Sequence, residues 1–145
     1  MSQVSKRLVH KSIETKMYET FWETISQLKA RAEVQNFIND LLSPPERIMV
    51  AKRLAIAALL SRHYNYEAIM SILKVSSTTI SKISLLLNQN NGYKTAINKI
   101  ARAEATREFW QDVENLAYRL GNPRNVFVSE ELVKKKLGHS RKTLL

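Results

Sequence analysis

The chain has 145 residues, 44% of them apolar, a formal net charge of +10 and no cysteine. That length is enough for one core, and that apolar share argues against wholesale disorder. The missing cysteines exclude disulfides, thiolate catalysis and thiolate metal sites.

Only three glycines and three prolines interrupt the chain, which favours long helices. Residues 13–28 carry Ile13, Met17, Phe21, Ile25 and Leu28 at spacings of three and four, with Tyr18 and Trp22 alongside. That pattern predicts an amphipathic helix whose wide aromatic stripe faces either the chain's own core or a second subunit. A second helix places Val34, Phe37, Ile38, Leu41 and Leu42 on one face and stops at Ser43-Pro44-Pro45-Glu46. The same tetrapeptide starts the next helix: Ser43 is the cap, the prolines suit the first turn, and Glu46 completes a capping box. This third helix runs over about 44–62 and is rich in alanine and leucine.

The window 66–87 reads YEAIMSILKVSSTTISKISLLL. Ile69, Leu73, Val75, Ile80 and Ile83 form the apolar skeleton of a helix-turn-helix, two short helices clamped across a tight turn. Asn65 is placed to cap the first helix, about 66–73, and Ser76 the second, about 77–88. Beyond the polar linker 88–92, one long helix is expected over 93–120, with Ile97, Ile100, Phe109, Val113, Leu116 and Leu120 on its apolar face. Gly121-Asn122-Pro123 would end it. Ser129 could cap a last short helix that ends in Lys134-Lys135-Lys136, followed by a frayed basic tail. The expected organisation is all-α: one helical domain over 1–120 and a C-terminal extension over 121–145.

If Ile80 faces the core, Ile83 and Leu87 lie beside it at 100° per residue, while Thr78, Lys82 and Leu85 lie on the far side and Ser81 on the flank. Exposed helix faces are usually filled by strong helix formers, and Ser77, Thr78, Thr79 and Ser81 are not among them. Short hydroxyls let a helix sit deep in a major groove, where they donate and accept, and a lysine reaches guanine or a phosphate. Thr78, Ser81 and Lys82 are therefore the candidates for base-edge contacts. Lys74, Arg62 and Lys52 are the candidates for phosphate contacts. Charge supports a polyanionic partner: residues 46–93 carry a net +4 and residues 94–145 a net +5.

The segments LLSPPERIMVAKRLAIAALL (41–60), YEAIMSILKVSSTTISKI (66–83) and NNGY (90–93) together resemble the Trp repressor superfamily, in particular its short Trp-repressor-like regulators. The resemblance implies a multi-helix domain in an intertwined homodimer. Each subunit would offer one recognition helix to successive major grooves, roughly 34 Å apart. It also adds Ser77 and Thr79 as nearby DNA contacts. The family's corepressor pocket carries over badly. Arg53 matches one of its two arginines, but Lys82 stands at the other and Ile83 at its glycine. Ser43 matches a pocket threonine and Leu86 replaces a pocket serine. The implied protein is a regulator without tryptophan as corepressor and without any cofactor.

The expected function is thus a sequence-specific, double-stranded-DNA-binding transcriptional regulator. The alternatives are a helical protein-interaction module, with the helix over 93–120 as its docking surface, and an RNA-binding protein using the basic tail. Catalysis is not expected. His10, His63 and His139 have no ligand spacing, and the chain has no G-x-G-x-x-G, P-loop or nucleophile elbow. The longest apolar run, Leu54–Leu60, is seven residues, far below the roughly 20 that span a bilayer. The basic N-terminus is followed by Glu14 rather than an apolar stretch. No membrane segment or signal peptide is expected, and the location is taken as cytoplasmic.

Overall fold

The computed structural model describes residues 6–101 and 103–120. Its elements are α1 (Lys11–Gln27), α2 (Arg31–Leu41), α3 (Pro44–Ser61), α4 (Tyr66–Leu73), α5 (Ser77–Gln89), α6 (Gly92–Ile100) and α7 (Glu104–Leu120). No strand occurs among the described residues, so the all-α expectation holds. The expected last helix and basic tail lie outside the described residues. The chain forms two compact units, Met1–Val50 and Ala51–Leu145.

The first unit holds α1, α2 and the start of α3. Along α1 the hydroxyls of Thr15, Thr20 and Thr24 donate to the carbonyls four residues back, at 3.1, 2.8 and 2.7 Å. These threonines thereby satisfy themselves locally. The apolar stripe does not: Ile13, Met17, Tyr18, Trp22 and Ile25 are all exposed. Neither α1 nor α2 has a buried residue. α2 begins without a capping side chain. Glu33 compensates by accepting from the Ala30 and Lys29 amides at 3.2 and 3.3 Å.

At the start of α3 the expected capping box is half formed. Glu46 accepts from the Ser43 amide at 2.8 Å, as expected, but the Ser43 hydroxyl donates to the same carboxylate at 2.7 Å. Those two bonds lower the Glu46 pKa, the side-chain one most. Arg47 donates to the Asn39 carbonyl and side-chain oxygen at 3.2 and 2.9 Å, tying this first turn to the end of α2.

The second unit owns the core. Ile56, Leu59, Ile69 and Ile80 are fully buried, joined by Ala57, Tyr64, Ile83, Leu87, Trp110, Val113 and Ala117. Burying one such aliphatic side chain contributes roughly 1.5–3 kcal/mol. α3 stops by turning its chain left-handed at His63, φ 64°. The Tyr64 amide donates to Leu59 O at 3.1 Å and the His63 amide to Leu60 O at 2.9 Å. This is the Schellman pattern, and its usual apolar partner is present, since Tyr64 and Leu59 share the core.

The single helix expected over 93–120 is in fact two. α6 ends at Ile100 and α7 begins at Glu104. The segment between contains no glycine or proline, so the break is not a matter of local propensity. The cause is phase. At 100° per residue, Tyr93, Ile97 and Ile100 share one direction, whereas Trp110, Val113 and Ala117 point about 130° away from it. A continuous helix could turn only one of those faces to the core. Breaking it lets Tyr93 and Ile97 pack on the core while Trp110, Val113 and Ala117 are buried in it. α7 then packs on α4.

Candidate nucleic-acid interface

α4 and α5 are built by local signals that the sequence displays openly. Asn65 Oδ1 accepts from the Ala68 amide at 2.8 Å and starts α4. Ser76 Oγ accepts from the Thr79 amide at 3.3 Å and starts α5. Between them Lys74 adopts φ 52°, ψ 57°, the left-handed conformation. The two helices are bent 118° with respect to each other, within the roughly 90–120° of helix-turn-helix units. Ile69 of α4 and Ile80, Ile83 and Leu87 of α5 are buried, with Leu73 and Val75 packed against them. The skeleton read from the spacing is therefore the hinge of the motif.

The opposite side of α5 is open to solvent. Ser77, Thr78, Ser81 and Lys82 are exposed, and Leu85 is 55% exposed farther along the same face. Thr79 differs. It is half-buried, and its hydroxyl lies 3.0 Å from that of Ser76, inside the cap. Lys52, on α3, donates to the Lys74 carbonyl at 3.4 Å. Two of the three expected phosphate-contacting cations thus meet at the turn of the motif. The third does not join them: the Arg62 guanidinium lies over the Trp110 ring, 3.5 Å from its centroid. Sequence reading missed this pair because its members are 48 positions apart and neither carries a local motif.

Arg53 is exposed, Leu86 is 41% exposed and Ile83 is buried in the core. No group of three or more histidine or acidic side chains among the described residues could hold a metal ion. No single helix among them is long and apolar enough to cross a membrane.

Fold and motif define an all-helical protein of the helix-turn-helix class. The family described as Trp repressor protein matches residues 16–101, more than half of the chain, and the chain belongs to that family. The match includes α2 to α6 and ends before α7. A curated relative, the uncharacterized protein YerC of Bacillus subtilis (strain 168), is 29% identical over 90 residues, 61% of this chain and 86% of the relative. The crystal structure of a candidate Trp repressor from Staphylococcus aureus is similar with a TM-score of 0.57 and 22% identity, over 64% of this chain and 96% of that one. At that identity the likeness is one of fold.

Proposed function

We propose that the protein is a sequence-specific, double-stranded-DNA-binding transcriptional regulator that works as a homodimer without tryptophan as corepressor. The observation that carries this reading is the two-sidedness of α5. One face is buried by Ile80, Ile83 and Leu87, and the other offers Ser77, Thr78, Ser81 and Lys82 to solvent. Thr78, Ser81 and Lys82 meet base edges in the major groove. Ser77 lies beside them at the start of the helix, where its hydroxyl and the first-turn amides suit a phosphate. Thr79 supports the cap more than the contact. Lys52 and Lys74 hold the sugar–phosphate backbone at the turn. The net charge of +10 supplies the long-range attraction.

The dimer reading rests on the first unit. An amphipathic helix with Ile13, Met17, Trp22 and Ile25 exposed has not buried the face that its sequence built. A second copy of the same helix pair would cover it, in keeping with the C₂ symmetry of most homo-oligomers. The operator would then be pseudo-palindromic.

The test is fluorescence anisotropy with labelled duplex DNA and labelled single-stranded RNA across a salt series. The regulator reading requires tighter binding to duplex, with a log affinity that falls linearly with log salt. Preference for the single strand would replace it with the RNA reading, and no binding to either would favour the interaction module.

A further inference from the structure

The α6–α7 break leaves a cavity of about 270 Å³ in the second unit, lined by Arg62, Ala101, Ala103, Arg107, Trp110, Gln111 and Glu114. Most of that lining comes from α7 and the segment leading into it, beyond the family match, which ends at residue 101. The helix-turn-helix face contributes none of it.

The chemistry of the wall is specific. The Arg62 guanidinium carbon lies over Trp110, 3.5 Å from the ring centroid. A stacked guanidinium keeps its planar N–H edge available for a bidentate oxyanion. Arg107 brings a second guanidinium, and no hydrogen bond or ion pair among the described residues takes up either one. Ala103 immediately precedes α7 and Arg107 lies near its start, the end of a helix that favours negative charge. Glu114 stands on the same wall and would repel a bare anion. A ligand that fits both must carry an oxyanion at one end and a hydrogen-bond donor at the other. The volume suits a molecule of about ten heavy atoms and falls short of the 300–1,000 Å³ of sites for larger ligands.

We propose that this cavity binds a small hydroxylated oxyanion, a phosphate monoester or a hydroxy acid, as an effector of the regulator. The oxyanion sits on the Arg62 and Arg107 guanidiniums, and a hydroxyl donates to Glu114. The signal has a short physical route. Trp110 packs 6.3 Å, centroid to centroid, from the ring of Tyr64, and Tyr64 immediately precedes Asn65, the cap of α4. α7 itself packs on α4. A ligand that shifts Trp110 therefore shifts the helix against which α5 is set. The effector role rests on the regulator reading, whereas ligand binding does not.

The full chain, ¹⁵N-labelled, is titrated with glycerol 3-phosphate, glycerate, inorganic phosphate, glycerol and sodium chloride, and the Trp110 indole signal is followed after assignment with Trp110→Phe. Glycerol 3-phosphate or glycerate should move it saturably, and whichever binds tighter identifies the oxyanion. Arg107→Ala, an exposed helical site that tolerates alanine, should weaken binding roughly tenfold or more, as should Arg62→Lys, which keeps the charge and loses the plane. A drift that tracks ionic strength alike for all salts overturns the site, and so does binding indifferent to both variants. Equal affinity for inorganic phosphate overturns the hydroxyl contact to Glu114. Saturating ligand should then change the affinity for a selected duplex at least fivefold. An unchanged duplex affinity overturns the effector role. Failure of the regulator reading itself would look different: no selective duplex binding in either condition, with the indole titration intact.

Discussion

Lys74 is the sharpest point at which to challenge the geometry of the motif. Its backbone sits at φ 52°, ψ 57°, where a side-chain Cβ crowds the carbonyl and costs roughly 1–2 kcal/mol. Glycine escapes that penalty, but its freer unfolded chain returns about 0.4–1 kcal/mol. Lys74→Gly should therefore be more stable than Lys74→Ala by roughly 0.5–1 kcal/mol. At an ordinary helical position the order is reversed, with alanine ahead by about 1 kcal/mol. The sign alone is thus diagnostic. The Lys52 contact goes to the Lys74 carbonyl, which both variants retain, so it does not bias the comparison. Urea unfolding at one fixed protomer concentration reads the difference. With a slope of about 2 kcal/mol/M, the glycine midpoint should lie roughly 0.3–0.5 M higher, at unchanged slope. An alanine variant as stable as the glycine variant, or more so, would refute the left-handed turn and with it the 118° setting of α5.

The core assigns Ile80 a fully buried place, so Ile80→Ala should lose about 2–5 kcal/mol in the same assay, and a loss near zero would contradict the packing. Sedimentation of wild type and Trp22→Glu should give a species of twice the chain mass and a monomer respectively, since Trp22 is 59% exposed in the single chain; a monomeric wild type would sink the homodimer. Burial first, then Glu114, raises the Tyr64 phenol above its ordinary 10.0, with Arg62 opposing. The folded value exceeds the unfolded one, so this contribution is whole below about pH 10 and is lost as pH rises through the folded value. Alkaline unfolding should start in that window for wild type and be blunted in Tyr64→Phe.

The parts of the fold legible in sequence are those set by neighbours in the chain. Asn65 and Ser76 announce α4 and α5 because a cap acts within three residues. The exposed side of α5 was equally readable, since one buried residue, Ile80, fixes the angle of all the others. The α6–α7 break was not read, although its signal is present: the apolar face reverses between Ile100 and Phe109, with no glycine or proline to mark it. Searching for breakers misses such a site, while following the phase finds it. Arg62 looked like one more surface cation, because its partner Trp110 is supplied by a distant helix. Tertiary contacts of that kind leave no local trace. The same holds for Thr79, whose hydroxyl is drawn into the Ser76 cap while Thr78, one residue earlier, stays exposed.

The most direct test of the central claim is selection from a random duplex library, run in parallel with wild type and with Thr78→Ala/Lys82→Ala. Both substituted side chains are exposed, so the variant should fold as wild type does. The account predicts a pseudo-palindromic winner for wild type that the double variant no longer prefers, with the residual, salt-sensitive affinity of the basic surface left behind. No enriched sequence for wild type, or the same winner for both proteins, would contradict the assignment of α5 as the helix that reads DNA.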